Sequence, residues 1–297
     1  MFIIKNKKIF IIISTTLVVL SIVFLFTFGL NLGIDFKGGA LLEVSYPATG
    51  RPNISLLKEK VEELALGGVI IQPIGDLSYG IKTKALTEEE HFSLLKTLSL
   101  DEKYGAKEES FTSIGPSVGK ELKTKVILAL VIVILAIILF IAFVFRSVSK
   151  PVSSWKYGLI AVITLIHDIL ITTGSFVVIS YFTGVETDTL FIVALLTILG
   201  LSINDTIVVF DRIRENLKNG IYKEFDEAVG RSIDQSFSRS INTSLTVIIV
   251  LIVLFFIGPE TTKYFALTLA VGMFIGTYSS IFLASPLLVL LEQWQKK

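Results

Sequence analysis

Two acidic side chains lie inside strongly apolar parts of this sequence, where ionisable groups are rare. Asp168 is in the middle of the apolar run at about 157–182, and Asp205 is near the end of the run at about 189–210. Asn204 precedes the second acid, and Arg239 opens the next apolar run. A carboxyl group at the centre of a bilayer costs roughly 3 kcal/mol even on lenient scales, so these acids predict a functional site.

The same residues also have structural explanations. Asp168 could pair with His167 or with a neighbouring hydroxyl, and Asp205 is close enough to the end of its run to be partly wetted. Arg239 could extend its side chain to the interface as easily as occupy a buried position. The residues alone leave these alternatives open.

The composition places most of the chain in lipid. Of its 297 residues 52% are hydrophobic, 22 are Phe and only 18% are charged. A soluble domain of this size could not bury so much apolar surface. The net charge of +1 gives no reason to expect nucleic acid as a partner. Because cysteine is absent, disulfides, zinc thiolate sites and iron–sulfur clusters are excluded, and we expect no cofactor.

Six apolar runs are each long enough to span a bilayer. They cover about 9–30, 126–145, 157–182, 189–210, 241–258 and 264–291. The first run resembles a secretory signal but is too long and lacks a cleavage site, so we interpret it as an uncleaved anchor. The last is long enough to tilt or break. Basic residues before the first span, at 146–156, at 212–231 and at the end of the chain predict that both termini are cytoplasmic. The lysines at 120–125 do not fit this pattern, because they precede the second span on the predicted extracytoplasmic side.

Polar and small residues recur at helical spacing within the spans and predict a bundle with a polar interior seam. The third span has Thr164, Asp168, Thr172 and Ser175, and the fourth has Thr197, Leu201, Asn204, Asp205 and Val208. The fifth continues from Arg239 with Asn242, Thr243 and Thr246, and the sixth has Gly272, Gly276, Ser280 and Ala284. Such residues are also common where helices simply pack closely.

The only sizeable polar segment lies between the first two spans. Strands are predicted at about 39–46, 69–74, 79–85 and 107–114, with a helix after the first and another after the third. Thr87 and Glu90 predict a capping box for the second helix, which should bury Phe92, Leu95 and Leu98. His91 is assigned to a solvated face of that helix. The order of elements is that of the ferredoxin-like fold.

The predicted fold class is therefore an α-helical polytopic membrane protein. It has six transmembrane helices and one extracytoplasmic α+β domain, ferredoxin-like with the order βαββαβ, between helices 1 and 2. The predicted divisions are 1–30 for the cytoplasmic N-terminus and first helix, 31–122 for the domain, and 123–297 for helices 2–6 with their cytoplasmic loops.

Two motifs carry a resemblance to a known family. Residues 201–216 read Leu-Ser-Ile-Asn-Asp-Thr-Ile-Val-Val-Phe-Asp-Arg-Ile-Arg-Glu-Asn, and residues 33–39 read Gly-Ile-Asp-Phe-Lys-Gly-Gly. Together with matches at 166–169, 239–245 and 276–286, they make nearly the whole chain similar to the SecD/SecF family. Departures are confined to Lys37, Ala40 and Leu201, which affect local loop contacts.

The resemblance implies a module of the RND superfamily in the bacterial cytoplasmic membrane. Such a module would act with SecD beside the protein-export channel and use the proton-motive force to move unfolded preprotein outward. By position, Asp205 resembles the family's essential intramembrane acid, and Arg239 the basic residue that answers it. With Asn204 and Asp168 they form the candidate proton relay. Six helices are half of the superfamily's twelve, so SecD is expected to complete the polar seam.

Two other functions are consistent with parts of the sequence. An intramembrane aspartyl protease also needs two aspartates on adjacent spans, and like charges close together would share a proton. However, Asp205 lacks the Gly-x-Gly-Asp context of such proteases, and Arg239 would oppose proton sharing. A passive assembly subunit would use the polar seam only for packing.

Overall fold

The computed structural model describes residues 2–47, 50–100, 104–144 and 153–295. The chain divides into two compact units, one formed by 1–31 and 128–297 and the other by 32–127. The basic residues Arg146, Lys150, Lys296 and Lys297, on which part of the predicted orientation rests, lie outside the described residues.

The helical unit begins with a short helix α1 (Phe2–Lys5), and six longer apolar segments follow. These are α2 (Lys7–Phe28), α6 (Pro116–Val144), α7 (Ser154–Thr183), α8 (Thr189–Lys218), α9 (Phe225–Ile257) and a final segment from Glu260 to Gln295. Within the described residues, six helices are therefore long and apolar enough to cross a membrane. Each contains or largely covers one predicted run.

The final segment is not one uniform α-helix. It consists of α10 (Glu260–Ser279), a π-helical segment (Ser280–Ala284) and α11 (Ser285–Gln295). A π-helix leaves backbone groups without their usual partners and is often found at functional sites. The irregularity begins directly after the hydroxyl residues that contact the buried acids.

Two helices extend well beyond their apolar runs because polar contacts join them. On α8, Asn216 donates from Nδ2 to Ser232 Oγ of α9 at 2.7 Å and to Gln235 Oε1 at 3.0 Å. Helix α9 begins at Phe225, well before the predicted start of its span at 241.

Asp188 caps the N-terminus of α8, since its Oδ1 accepts a hydrogen bond from the Phe191 backbone N–H at 2.8 Å.

The second unit contains an antiparallel sheet with two helices on one face. Its elements are α3 (Ile34–Lys37), β1 (Gly39–Ser45), α4 (Ile54–Glu62), β2 (Ile70–Ile74), β3 (Ser78–Thr83), α5 (Glu88–Leu98) and β4 (Lys107–Ile114). The strand order is β2-β3-β1-β4. In the register, Leu42 lies opposite Ile81 on one side and Phe111 on the other.

The core of this unit follows from the alternation of residue types along β1. Leu42 and Val44 point to the buried face and contact Leu57 and Val61 of α4 within one apolar cluster, while Glu43 between them is only partly buried. The capping box predicted for α5 is confirmed, since Thr87 Oγ1 accepts from the Glu90 backbone and the Glu90 carboxylate accepts from the Thr87 backbone.

Two side-chain predictions for α5 are wrong. Phe92 is 65% exposed, because the apolar face of the helix is centred on Leu94 and Leu98. His91 does not lie on a solvated face: its ring stacks on Phe111 at 3.8 Å and its Nε2 lies 2.9 Å from Glu108 Oε2. The sequence could not predict this contact because Phe111 and Glu108 belong to β4.

Candidate functional site

Asp205 is buried in the helical unit and held by hydroxyl groups from two other helices. Only 4% of the residue is exposed. Its Oδ2 accepts hydrogen bonds from Ser244 Oγ of α9 at 3.1 Å and from Thr277 Oγ1 of α10 at 3.3 Å. Its Oδ1 accepts no hydrogen bond from the described residues. One oxygen is thus held by donors while the other is available for a proton.

Both hydroxyls that hold Asp205 have a second acceptor within their own helix. Ser244 Oγ lies 2.9 Å from the Ser240 carbonyl oxygen, and Thr277 Oγ1 lies 2.9 Å from the Met273 carbonyl oxygen. A hydroxyl has one proton to donate, so each can turn between the carboxylate and its backbone carbonyl. The site can therefore hold Asp205 either ionised or neutral without leaving a hydroxyl proton unpaired.

Asp168 lies in a different environment. It is fully buried, and its Oδ1 lies 2.9 Å from His167 Nδ1. Its Oδ2 accepts from Ser202 Oγ of α8 at 2.5 Å and from Ser279 Oγ of α10 at 2.9 Å. Two hydroxyls thus donate to Oδ2, while His167 Nδ1 can donate to Oδ1 or accept from it according to the tautomer of the ring.

The two acids are connected through the same pair of helices. Ser202 and Asp205 are one turn apart on α8, and Thr277 and Ser279 are two residues apart on α10. Close approach of these helices is possible because Gly276 packs against Ser202: a Cβ at position 276 would lie 2.8 Å from Ser202 Cβ. The predicted stripe of small residues on the sixth span is confirmed, as Gly272, Gly276, Ser280 and Ala284 are all buried.

The polar faces predicted for the other spans are only partly confirmed. On α7, Thr164, Asp168 and Thr172 are buried as expected. On α8 and α9, Asp205 is buried as expected, whereas Thr197, Asn204, Asn242, Thr243 and Thr246 are exposed on the surface of this chain. The inward residues are instead Ser202, Asp205 and Thr206 on α8 and Ser236, Ser240 and Ser244 on α9. Each residue turns a helix by about 100°, so Asn204 and Asp205 cannot point in the same direction.

Arg239 does not contact Asp205 in this structure. The arginine is exposed on α9, next to the buried Ser240, and the described residues include no ion pair between it and the acid. Asn204 is exposed as well. Of the four predicted relay residues, the structure buries Asp205 and Asp168 and leaves Arg239 and Asn204 on the surface of this chain.

Ser202, Ser244, Thr277 and Ser279 contact the acids and were missed as site residues. Their type gave little signal, because hydroxyl residues are common at any close helix contact. A spacing signal existed for two of them, since Thr277 and Ser279 lie between Gly276 and Ser280 of the small-residue stripe. Within the described residues no group of three or more histidine or acidic side chains comes together as metal ligands would.

Comparison with known proteins gives the family. Residues 96–294 match the family described as "Protein export membrane protein SecD/SecF, C-terminal", and residues 23–46 match the SecD/SecF GG motif. A protein named "Protein translocase subunit SecF" from Thermobaculum terrenum is 38% identical and is aligned over 99% of this chain and 94% of its own length. Proteins of the same name from Anaerolinea thermophila and Sebaldella termitidis are 34% and 37% identical.

Two solved structures are also similar. The crystal structure of SecDF from Thermus thermophilus superposes with a TM-score of 0.82 at 30% identity and covers 99% of this chain. SecDF in a super-membrane-facing form gives 0.66 at 31% identity. This chain covers 38% of the length of each SecDF chain. The chain therefore belongs to the SecD/SecF family: it is a multi-pass membrane subunit of the protein translocase, a transport component rather than an enzyme.

Proposed function

We propose that this chain works with a SecD-type partner to couple the proton-motive force to the outward movement of polypeptides during export. The observation that carries the proposal is the environment of Asp205. This acid is buried among apolar helices, its Oδ2 is held by two hydroxyls that each have a second acceptor, and its Oδ1 is free to take a proton. A group that must gain and lose a proton repeatedly needs such an environment.

The exposed polar side chains on α8 and α9 support the presence of a partner. The side chains of Asn204, Asn242 and Arg239 are exposed and have no hydrogen-bond partner among the described residues. Polar groups within membrane spans usually face a protein interior or a water-filled cavity, because lipid cannot satisfy them. We infer that a partner of the SecD type packs on this face, which would bring its own groups to Arg239 and Asn204 and complete the relay with Asp205 and Asp168.

The location and domain organisation are part of the same proposal. We place the chain in the bacterial cytoplasmic membrane with both termini in the cytoplasm, since the basic residues favour that side. The segment between the first two spans would be an extracytoplasmic ferredoxin-like domain, a proposal supported by its βαββαβ order and by the sheet order β2-β3-β1-β4. Residues 1–30, 31–122 and 123–297 remain the proposed divisions. An outward-facing domain could then contact the unfolded preprotein as it leaves the export channel.

The energy that protons supply limits the work that this subunit can do on a polypeptide. One charge that crosses a potential of about 100 mV supplies roughly 2.3 kcal/mol. A folded domain is stable by about 5–15 kcal/mol, so one or two protons could not unfold it. We therefore propose that the work is done on a chain that is already unfolded.

The test is the variant Asp205→Asn, with Asp211→Asn as its matched control. Asparagine keeps the size of the side chain and can still accept from Ser244 and Thr277, but it cannot cycle a proton. We expect Asp205→Asn to insert normally and bind SecD while losing stimulation of export in membrane vesicles. Asp211 is on the same helix but is half exposed and pairs with Arg214, so its amide variant should retain full stimulation.

The same assay separates the alternatives. A passive assembly subunit would keep normal export with Asp205→Asn, and that result would remove Asp205 from the mechanism. Vesicles energised with a proton gradient alone or a sodium gradient alone should show which ion drives the wild-type chain, and stimulation by sodium alone would contradict proton coupling.

A further inference from the structure

We propose that His167 and Asp168 form a second proton-binding site, in which Asp168 stays ionised and His167 takes the proton at Nε2, and that Asp205 controls its occupancy. The inference rests on the proposed function, because it adds a second protonation site to the same cycle. It is carried by the hydrogen-bond pattern around the pair and by one unpartnered buried nitrogen.

The arrangement of donors assigns the tautomer of His167. Asp168 Oδ2 already accepts hydrogen bonds from Ser202 Oγ at 2.5 Å and from Ser279 Oγ at 2.9 Å, so any proton of this carboxyl group would lie on Oδ1, next to His167 Nδ1. One proton is shared across the 2.9 Å contact between Oδ1 and Nδ1, and with Asp168 ionised, as proposed, His167 Nδ1 is its donor. The proton of neutral His167 is therefore on Nδ1, and its basic lone pair is on Nε2.

The Nε2 atom is buried and has no hydrogen-bond partner in the described part of the chain. His167 as a whole is only 5% exposed. A buried polar atom without a partner is rare and needs an explanation. When the Nε2 lone pair takes a proton from hydronium, one O–H bond breaks, the Nε2–H bond forms and water is left. Imidazole becomes imidazolium, and the net charge of the pair changes from −1 to zero, which is less costly to bury than a single charge.

Other ionisable groups near α7 do not take this role. The segments that pack against α7 are α2, α8, α10, the π-helical segment and α11, and α6 approaches it at Gly158. Their described ionisable side chains within or near the bundle are Lys7 and Lys8 of α2, Asp205 of α8, Tyr264 and Tyr278 of α10 and Glu292 of α11, with further charges at 120–125, 211–218 and 260–263. No described side chain of this set hydrogen-bonds His167 or Asp168.

Asp205 is the member of that set whose position on α8 and whose hydroxyl donor on α10 lie within one turn of the groups that donate to Asp168. Ser202, which donates to Asp168, is one turn from Asp205 on α8. Ser279, which also donates to Asp168, is two residues from Thr277, which donates to Asp205. An ionised Asp205 favours a positive His167, and a neutral Asp205 does not. The two sites would therefore bind protons in a coupled order.

The experiment measures His167 directly, because the chain has only two histidines. The full chain with His91→Gln, labelled with ¹⁵N-histidine and placed in lipid nanodiscs, leaves His167 as the sole labelled histidine. We expect its ¹⁵N spectrum at alkaline pH to show a proton on Nδ1 and none on Nε2. Between about pH 9 and about pH 5, a range over which histidines titrate, Nε2 should gain a proton.

Three variants in this background test the assignment and the coupling. Asp168→Asn removes the counter-ion and should lower the midpoint of the titration. Asp205→Asn should lower it by a smaller amount, and Glu260→Gln, which removes a charge at the far end of α10, should leave it unchanged. A proton on Nε2 at alkaline pH, or an unchanged spectrum across the range, would overturn the site. An Asp205→Asn midpoint equal to that of the His91→Gln parent would overturn the coupling.

These readouts are independent of export. If Asp205→Asn retained full export while His167 titrated as expected, the proposed function would fail and the second site would stand. If export were lost and His167 did not titrate, the proposed function would stand and the second site would fail.

Discussion

Replacing Gly276 with alanine should separate the two helices that hold the buried acids. The new Cβ would lie 2.8 Å from Ser202 Cβ and 3.3 Å from Ser202 Cα, whereas carbon atoms pack favourably at about 3.5–4.0 Å. The contact atoms belong to the backbone and to the base of a short side chain, so they cannot rotate away. We therefore expect α10 to move from α8 by roughly 1 Å.

The energetic cost can be isolated with a control on the same pair of helices. Overpacking of this kind costs about 1–3 kcal/mol. A helical glycine replaced by alanine also gains up to about 1 kcal/mol from propensity, which would mask part of the loss. At Gly200 of α8 an added Cβ would meet nothing within 4 Å, so Gly200→Ala shows the gain alone. The difference between the two variants, measured by denaturant unfolding in detergent, should be about 1–3 kcal/mol.

We expect Gly276→Ala to reduce export activity strongly although it lowers the free energy of unfolding only modestly. A shift of this size would break the contact of Thr277 with Asp205, which is already 3.3 Å, and stretch that of Ser202 with Asp168. Export stimulation should fall with Gly276→Ala and be retained with Gly200→Ala. Adding Ser202→Gly to Gly276→Ala removes the contact with Ser202 Cβ, but it also removes a hydroxyl that donates to Asp168 and puts a glycine inside α8, so activity should not recover. Equal stability and activity of the two alanine variants would refute the argument.

Three further predictions concern the proton relay, the orientation in the membrane and the second unit. Arg239→Lys should keep partial export activity, because charge remains while the planar fork is lost, and Arg239→Leu should keep almost none. Wild-type export with Arg239→Leu would make the residue an interfacial anchor. Reporter fusions should be extracytoplasmic at Lys107 and cytoplasmic at Lys223, and the reverse would contradict the proposed orientation. Thr87→Ala should cost about 1 kcal/mol in unfolding of the second unit, because it removes the cap of α5, and an unchanged unfolding curve would show that the cap contributes no stability.

The six spans, the order of elements in the second unit and the family were all predictable from the sequence. Apolar runs of about 20 residues can only be satisfied as spanning helices, because lipid offers no hydrogen bonds to the backbone. The capping box at Thr87 and Glu90 was predictable because both of its hydrogen bonds are local. Asp205 and Asp168 were identified from type alone, since an acid in an apolar run is costly wherever it points.

The contacts between side chains of different helices were not predictable from the sequence, because they depend on how the helices pack. Ser244 and Thr277 are far from Asp205 in sequence, and their hydroxyls could have bonded only to their own helices. The direction of each helix face depends on its rotation in the bundle, so Asn204 and Asp205 separate although they are adjacent in the chain. Likewise, His91 contacts Glu108 and Phe111 because β4 pairs with β1 in the sheet. No local sequence pattern predicts that pairing.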